Sequence, residues 1–237
     1  MEFTWFDHIY AFFLLVVVPV MSWQSGNEEF SSEWLPPKKH LFYSNGLMLL
    51  IGAMLVGTSW NVSGHPWKTL GVCLPHWSPM ASILTIFLAG FYLVDQWIGW
   101  NQKQASKKEL EELSFVVPIN WEEFAHYLFL AFAAGIGEEV IFRGFLIPYL
   151  TNILPAITYI SWYAIGITAC SFALSHLYQG WKAVAKITIL AFLLGWLFVE
   201  TRSLLPVIVL HIAIDILSGI TSVMMLSDSD KDTSAPT

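Results

Sequence analysis

Seven runs of apolar residues limit what this chain can fold into. They lie near positions 8–23, 41–60, 80–100, 121–150, 157–177, 184–201 and 204–226. Each is long enough, or nearly so, to cross a ~30 Å hydrocarbon layer as a helix. Lipid offers no partner to an open backbone amide, so helices are the form such runs must take. Charged residues make up 12% of the 237, about half the ~25% usual in soluble domains. The 12 Trp and 17 Phe agree, because amphipathic rings settle at membrane–water interfaces. The expected fold is an all-α integral membrane protein, a bundle of about seven or eight transmembrane helices with a polar active site on the C-terminal helices.

Met1 to His8 carries no Lys or Arg, and no small-residue cleavage site precedes Ser22. The first run therefore reads as a retained span rather than a removed signal. Gln24–His40 and Asn101–Asn120 are polar connections, the second an interfacial helix by its charge (Lys107, Lys108, Glu109, Glu111, Glu112). The expected organisation is 1–120 as N-terminal transmembrane helices and interfacial segment, 121–226 as a catalytic helix core, and 227–237 as a disordered tail. With seven crossings, Lys38, Lys39, Lys103, Lys107, Lys108, Lys182, Lys186 and Lys231 fall on one side, and only Lys68 and Arg202 on the other. That asymmetry puts the N-terminus outside and the C-terminus in the cytoplasm, of the plasma (inner) membrane if the chain is bacterial. No basic patch calls for nucleic acid. Cys73 and Cys170 read as free thiols.

The fourth run holds the chain's most expensive residues. Glu138, Glu139 and Arg143 sit inside Gly135-Ile136-Gly137-Glu138-Glu139-Val140-Ile141-Phe142-Arg143-Gly144, where each charge costs roughly 2.5–3.5 kcal/mol to insert. Pro118 ends the preceding segment, Asn120 can cap, and Glu123 completes a capping-box pattern. A helix from Trp121 to Leu150 would be ~45 Å long, so its first turns project or it bends near Gly135 and Gly137. Glu139 and Arg143 are four apart and can pair. Glu138 points about 100° away from them, which leaves it free for a general base. A purely structural ion-pair cluster fits the spacing too.

Two further sets lie on later runs. His176 ends the fifth, with Phe172 one turn earlier on the same face. His211 and Asp215 are four apart on the seventh. His126, Asp95, Glu122 and Glu200 read as interfacial or structural. At 1.5 Å per residue His176 falls ~28 Å from Ile157, almost at the inner surface. To meet the others it must move inward, through a tilted helix or through Leu177–Ala183 dipping into a cavity, with a funnel open toward the cytoplasm. Converging His and carboxylate groups in a dry cavity suit the activation of water, with or without a metal.

Glu138-Glu139-x-x-x-Arg143, then Phe172-x-x-x-His176, then His211-x-x-x-Asp215 resembles the three ordered motifs of the CPBP intramembrane proteases. These include type II CAAX prenyl endopeptidases and bacteriocin-processing and immunity proteins. The resemblance covers roughly 121–220. It implies an intramembrane endopeptidase in which Glu138 and His176 activate the attacking water. His211 and Asp215 would face the oxyanion, with Glu139, Arg143 and Phe172 in support. Substrates would be peptides or proteins, lipid-modified in some members. Asp215 stands where CAAX proteases commonly have Asn, and an ionised Asp has no proton to give. It can be protonated, orient His211, or join Glu138, His176 and His211 as a zinc set, so the metal is left open. Two rival readings stand beside this one: a non-catalytic immunity or scaffold protein, and a proton- or cation-coupled transporter, which would carry an inverted repeat.

Overall fold

The computed structural model describes residues 1–25, 36–154 and 159–227. Every regular element among them is a helix. Five are long and apolar enough to cross a membrane by length and composition. These are α1 (Trp5–Ser25), α2 (Lys38–Val62), α3 (Pro79–Asn101), and, later in the chain, Trp181–Thr201 and Leu204–Leu226. Between them lie α4 (Lys103–Glu112), α5 (Trp121–Glu138), α6 (Ile147–Ile153) and α7 (Ile160–Leu174), so the last two spans are α8 and α9. The tail expected to be disordered, 227–237, lies outside the described residues except for Ser227. So do 26–35 of the first connection and the start of the fifth run at Ile157.

The two remaining runs take other forms. The fourth is built as α5, a π-helical stretch Glu139–Leu146, and α6. It carries Glu122, Glu123, Glu138, Glu139 and Arg143, a heavier charge load than any of the five apolar spans. Helical dihedrals continue through Glu138 and Glu139, so the expected bend at Gly135 and Gly137 is absent and a wider winding follows instead. The fifth is α7, with 15 residues. At ~22 Å it is shorter than the hydrocarbon layer.

Local chemistry explains the helix starts. Ser78 accepts from the Ala81 amide ahead of Pro79, and Ser203 from the Leu205 amide. Asn120 accepts from the Glu123 amide at 2.9 Å. The expected reciprocal bond of Glu123 is displaced by one residue. Its carboxylate takes the Ile119 amide at 3.0 Å and the Lys38 ammonium at 2.6 Å, so the cap also ties α2 to α5.

Hydrogen bonds between helix ends sort them into two groups. Asp7 with Ser59, His8 with Tyr149, Ser78 with Glu200, and the Leu204 amide with the Gly71 carbonyl share one end. Lys38 with Glu123, Ser222 with Pro118, and Lys182 with Glu109 share the other. The chain therefore runs up and down through one layer. Lys68 and Arg202 lie at the first end, and the other described lysines at the second. Large apolar side chains such as Leu47, Met48, Met54, Ile86 and Phe87 are exposed on the outer faces. A surface this apolar belongs against lipid.

Lipid does not drive helices together, so close packing must. α5 is held from two sides through its glycines. A Cβ on Gly137 would stand 2.9 Å from the Leu49 carbonyl oxygen of α2, and one on Gly135 2.4 Å from the Ile212 side chain of α9. Gly137→Val is expected to lower stability by about 1–3 kcal/mol, the usual cost of overpacking. Thermal unfolding in detergent measures it. Gly90→Ala, where a Cβ meets nothing within 4 Å, serves as the unaffected control.

Candidate active site

The end of α5 delivers Glu138, and the π-helical stretch delivers Glu139 and Arg143. Glu139 is fully buried and Arg143 is 1% exposed. Arg143 Nη1 donates to Glu139 Oε1 at 2.8 Å. Its Nη2 donates to the Ala191 carbonyl of α8 at 3.3 Å, and its guanidinium carbon lies 4.9 Å from the centre of the Phe172 ring. One side chain thus touches the π-helical stretch, α7 and α8.

His211 reaches this pair from α9. Its Nδ1 lies 2.7 Å from Glu139 Oε1. An ionised carboxylate can only accept, so Nδ1 carries the hydrogen. Nε2 then faces the two remaining acids, 3.6 Å from Glu138 Oε2 and 3.7 Å from Asp215 Oδ2. Three carboxylates, from α5, the π-helical stretch and α9, surround one imidazole. Glu138 and Asp215 keep partial access to solvent, with side chains 13% and 24% exposed.

His176 comes in from the turn after α7. The helix stops at Leu174, a tight turn covers Leu177–Gln179, and Gly180 at φ +89° starts α8. His176 Nδ1 is 2.8 Å from the Phe172 carbonyl. That oxygen can only accept, so Nε2 is left as the basic nitrogen. The Phe172 ring is a common wall, 4.8 Å from the His176 ring and 6.3 Å from the His211 ring between centroids. α7 ends two residues before His176, which stands at the start of the turn.

Residues 120–217 match the family of type II CAAX prenyl endopeptidase Rce1-like proteins. The match spans less than half of the chain. It begins at the cap of α5 and runs past Asp215, so it holds all three motifs and agrees with their CPBP-protease resemblance. Five helices long and apolar enough to cross a membrane, together with this likeness to a membrane protease family, support a multi-pass integral membrane protein. No curated protein and no solved structure shows a significant match to the chain.

Among the described residues no three His, Cys, Asp or Glu side chains form a group that could hold a metal ion, so the zinc set left open by the sequence is not assembled in this arrangement. Glu139 engages His211 Nδ1 and the Phe172 carbonyl engages His176 Nδ1, which leaves Nε2 of each ring free.

Residues set aside in the sequence stay outside the cluster. His126 bonds Tyr43, Asp95 pairs with Lys186, and Glu200 accepts from Ser78. Three tyrosines were missed. Tyr178 lies tilted beside His176, with centroids 6.1 Å apart, and within electrostatic reach of Glu138 and Asp215. Tyr127 donates to the Asp215 carbonyl at 3.4 Å, and Tyr92 to the Ile214 carbonyl at 3.2 Å. Tyr127 was findable. It lies eleven residues before Glu138, three helical turns, and so shares its face. Tyr92 arrives from α3 by tertiary packing and leaves no such trace.

Proposed function

We propose that this chain is an intramembrane endopeptidase that hydrolyses a peptide bond with a water activated by Glu138 and His176. The observation that carries this reading is the imidazole of His211 set among Glu138, Glu139 and Asp215, with His176 on the shared Phe172 wall. Water bound on the Nε2 side meets Glu138, a carboxylate with no ion-pair partner of its own on α5, suited to take a proton. His176 Nε2 supplies the second base and later returns a proton to the leaving amine. Once protonated, His211 offers Nε2–H to the oxyanion. Asp215 fixes that imidazole's direction, which answers the departure from Asn. Glu139 and Arg143 hold His211 by its other nitrogen.

In this reading residues 1–120 are a membrane scaffold with α4 at the interface, and 121–226 carry the chemistry. With seven crossings, the lysine-rich end and the mouth beside the His176 turn would face the cytoplasm, at the plasma (inner) membrane if the chain is bacterial. Substrates are peptides or proteins presented at that side, with lipid-modified C-termini among them.

The test is cleavage in proteoliposomes of quenched peptides ending in a CAAX sequence, with and without a farnesyl group on the cysteine. Wild type is expected to cut, and His176→Ala to cut about 10²–10⁴-fold more slowly at unchanged thermal stability. Equal rates in the two proteins would overturn the roles assigned here. No cleavage of either peptide by folded wild type would favour a binding function over hydrolysis.

A further inference from the structure

The end of the molecule away from the His176 turn carries two described side-chain cations, Lys68 and Arg202, and both line one cavity. Its volume is about 400 Å³, and Thr69, Cys73, Phe198 and Val199 complete the lining. A second cavity of about 290 Å³ shares Phe198 and Val199 with it, and Met1, Ile147, Pro148, Thr151 and Asn152 complete its lining. Phe198 and Val199 thus form an apolar wall beside the cationic head.

Its position is that of a membrane interface. Arg202 follows the last residue of α8, and Leu204 begins α9. Phe198 and Val199 lie one turn deeper on the span. Trp67 and Trp77 are exposed on the α2–α3 connection that carries Lys68, where indole rings mark headgroup level.

The cations are available. Neither side chain has an ion-pair partner among the described residues. Glu200, two residues from Arg202, accepts from Ser78 instead. Arg202 also occupies an unfavourable backbone. It caps α8 at φ +56°, a left-handed conformation that favours glycine. The loop is pinned in that shape, with the Cys73 thiol donating to the Arg202 carbonyl at 3.0 Å and Ser203 Oγ to the Cys73 carbonyl at 2.6 Å. A guanidinium is thus held at the rim where a helix end alone would call for no side chain.

We propose that this cavity binds an anionic phospholipid, its phosphodiester between Lys68 and Arg202 and its acyl chain along Phe198 and Val199. Charge complementarity selects the anion, and the apolar wall selects an amphiphile over a free ion. The site is independent of the proteolytic reading and lies at the other end of the helices.

The experiment compares protein in phosphatidylcholine nanodiscs with and without phosphatidylglycerol, reading the thermal midpoint and the lipid retained in native mass spectra. Phosphatidylglycerol is expected to raise the wild-type midpoint and to remain bound. Lys68→Gln/Arg202→Gly is expected to lose most of that rise and to bind at least about tenfold more weakly, the scale of a hydrogen bond to a charged group. Arg202→Gly alone keeps the left-handed cap, so its fold is secure, and it should show part of the loss. Lys107→Gln/Lys108→Gln removes two cations from the opposite end and should change nothing. Equal responses of the two double variants would overturn the site. So would a midpoint rise with inorganic phosphate in phosphatidylcholine alone, since the anion would then not need its lipid.

Discussion

Glu138→Gln is expected to leave the protein folded and reduce peptide-bond cleavage by about 10²–10⁴-fold, the range for losing a positioned general base. The amide keeps the shape of the carboxyl group but has no basic oxygen to receive the water's proton. Folding should survive because Glu138 is not the group that ties His211 down. Glu138 Oε2 stands 3.6 Å from His211 Nε2, beyond a direct hydrogen bond, whereas Glu139 Oε1 is 2.7 Å from Nδ1. Single-turnover cleavage in proteoliposomes, beside a thermal melt of the same preparation, separates the two effects. A variant that cuts at the wild-type rate would transfer the base to Asp215, the other acid facing Nε2.

Arg143→Met is expected to destabilise the protein by about 3–5 kcal/mol, the cost of stranding one charge of a buried pair. Glu139 is fully buried, and its second oxygen, Oε2, has no hydrogen-bond partner among the described residues. Without the guanidinium the carboxylate keeps only His211. The substitution also removes the bond to the Ala191 carbonyl and the cation over Phe172. Arg143→Lys should recover only part of the loss, because one ammonium cannot serve the carboxylate, the carbonyl and the ring from the same place. Glu139→Gln/Arg143→Met should recover more, since no unpaired charge remains. Thermal unfolding in detergent and the amount of protein in the membrane both measure this series.

The helical membrane class was legible because apolar runs and scarce charge leave little choice of fold. The Glu139–Arg143 pair was legible too, since four residues make one turn whether the winding is α or slightly wider. The strict span list was not. Charge in the fourth run and the brevity of the fifth are consequences of carrying a polar cluster, and hydropathy alone does not separate that from a shorter membrane path. A bend at Gly135 and Gly137 is one of the two ways the sequence offers to fit the fourth run. The two glycines are contact points, because the backbone stays helical and the missing side chains admit Ile212 and Leu49. Nothing local announced that His211 would bond Glu139 rather than its own-helix neighbour Asp215. That choice is made by how closely α5 and α9 approach.

The π-helical stretch has a consequence for the first helix, far from the chemistry. Wider winding over Glu139–Leu146 works as a phase shifter in one continuous rod. Upstream of it Glu138 looks toward α9. Within and beyond it, Phe145 and Tyr149 look toward Phe3, His8 and Tyr10. Deleting a single residue there would rotate one half against the other by roughly 100°. Either the acid or the aromatic seat of α1 would then be turned away, so the amino-terminal helix and the reactive cluster share one angular setting.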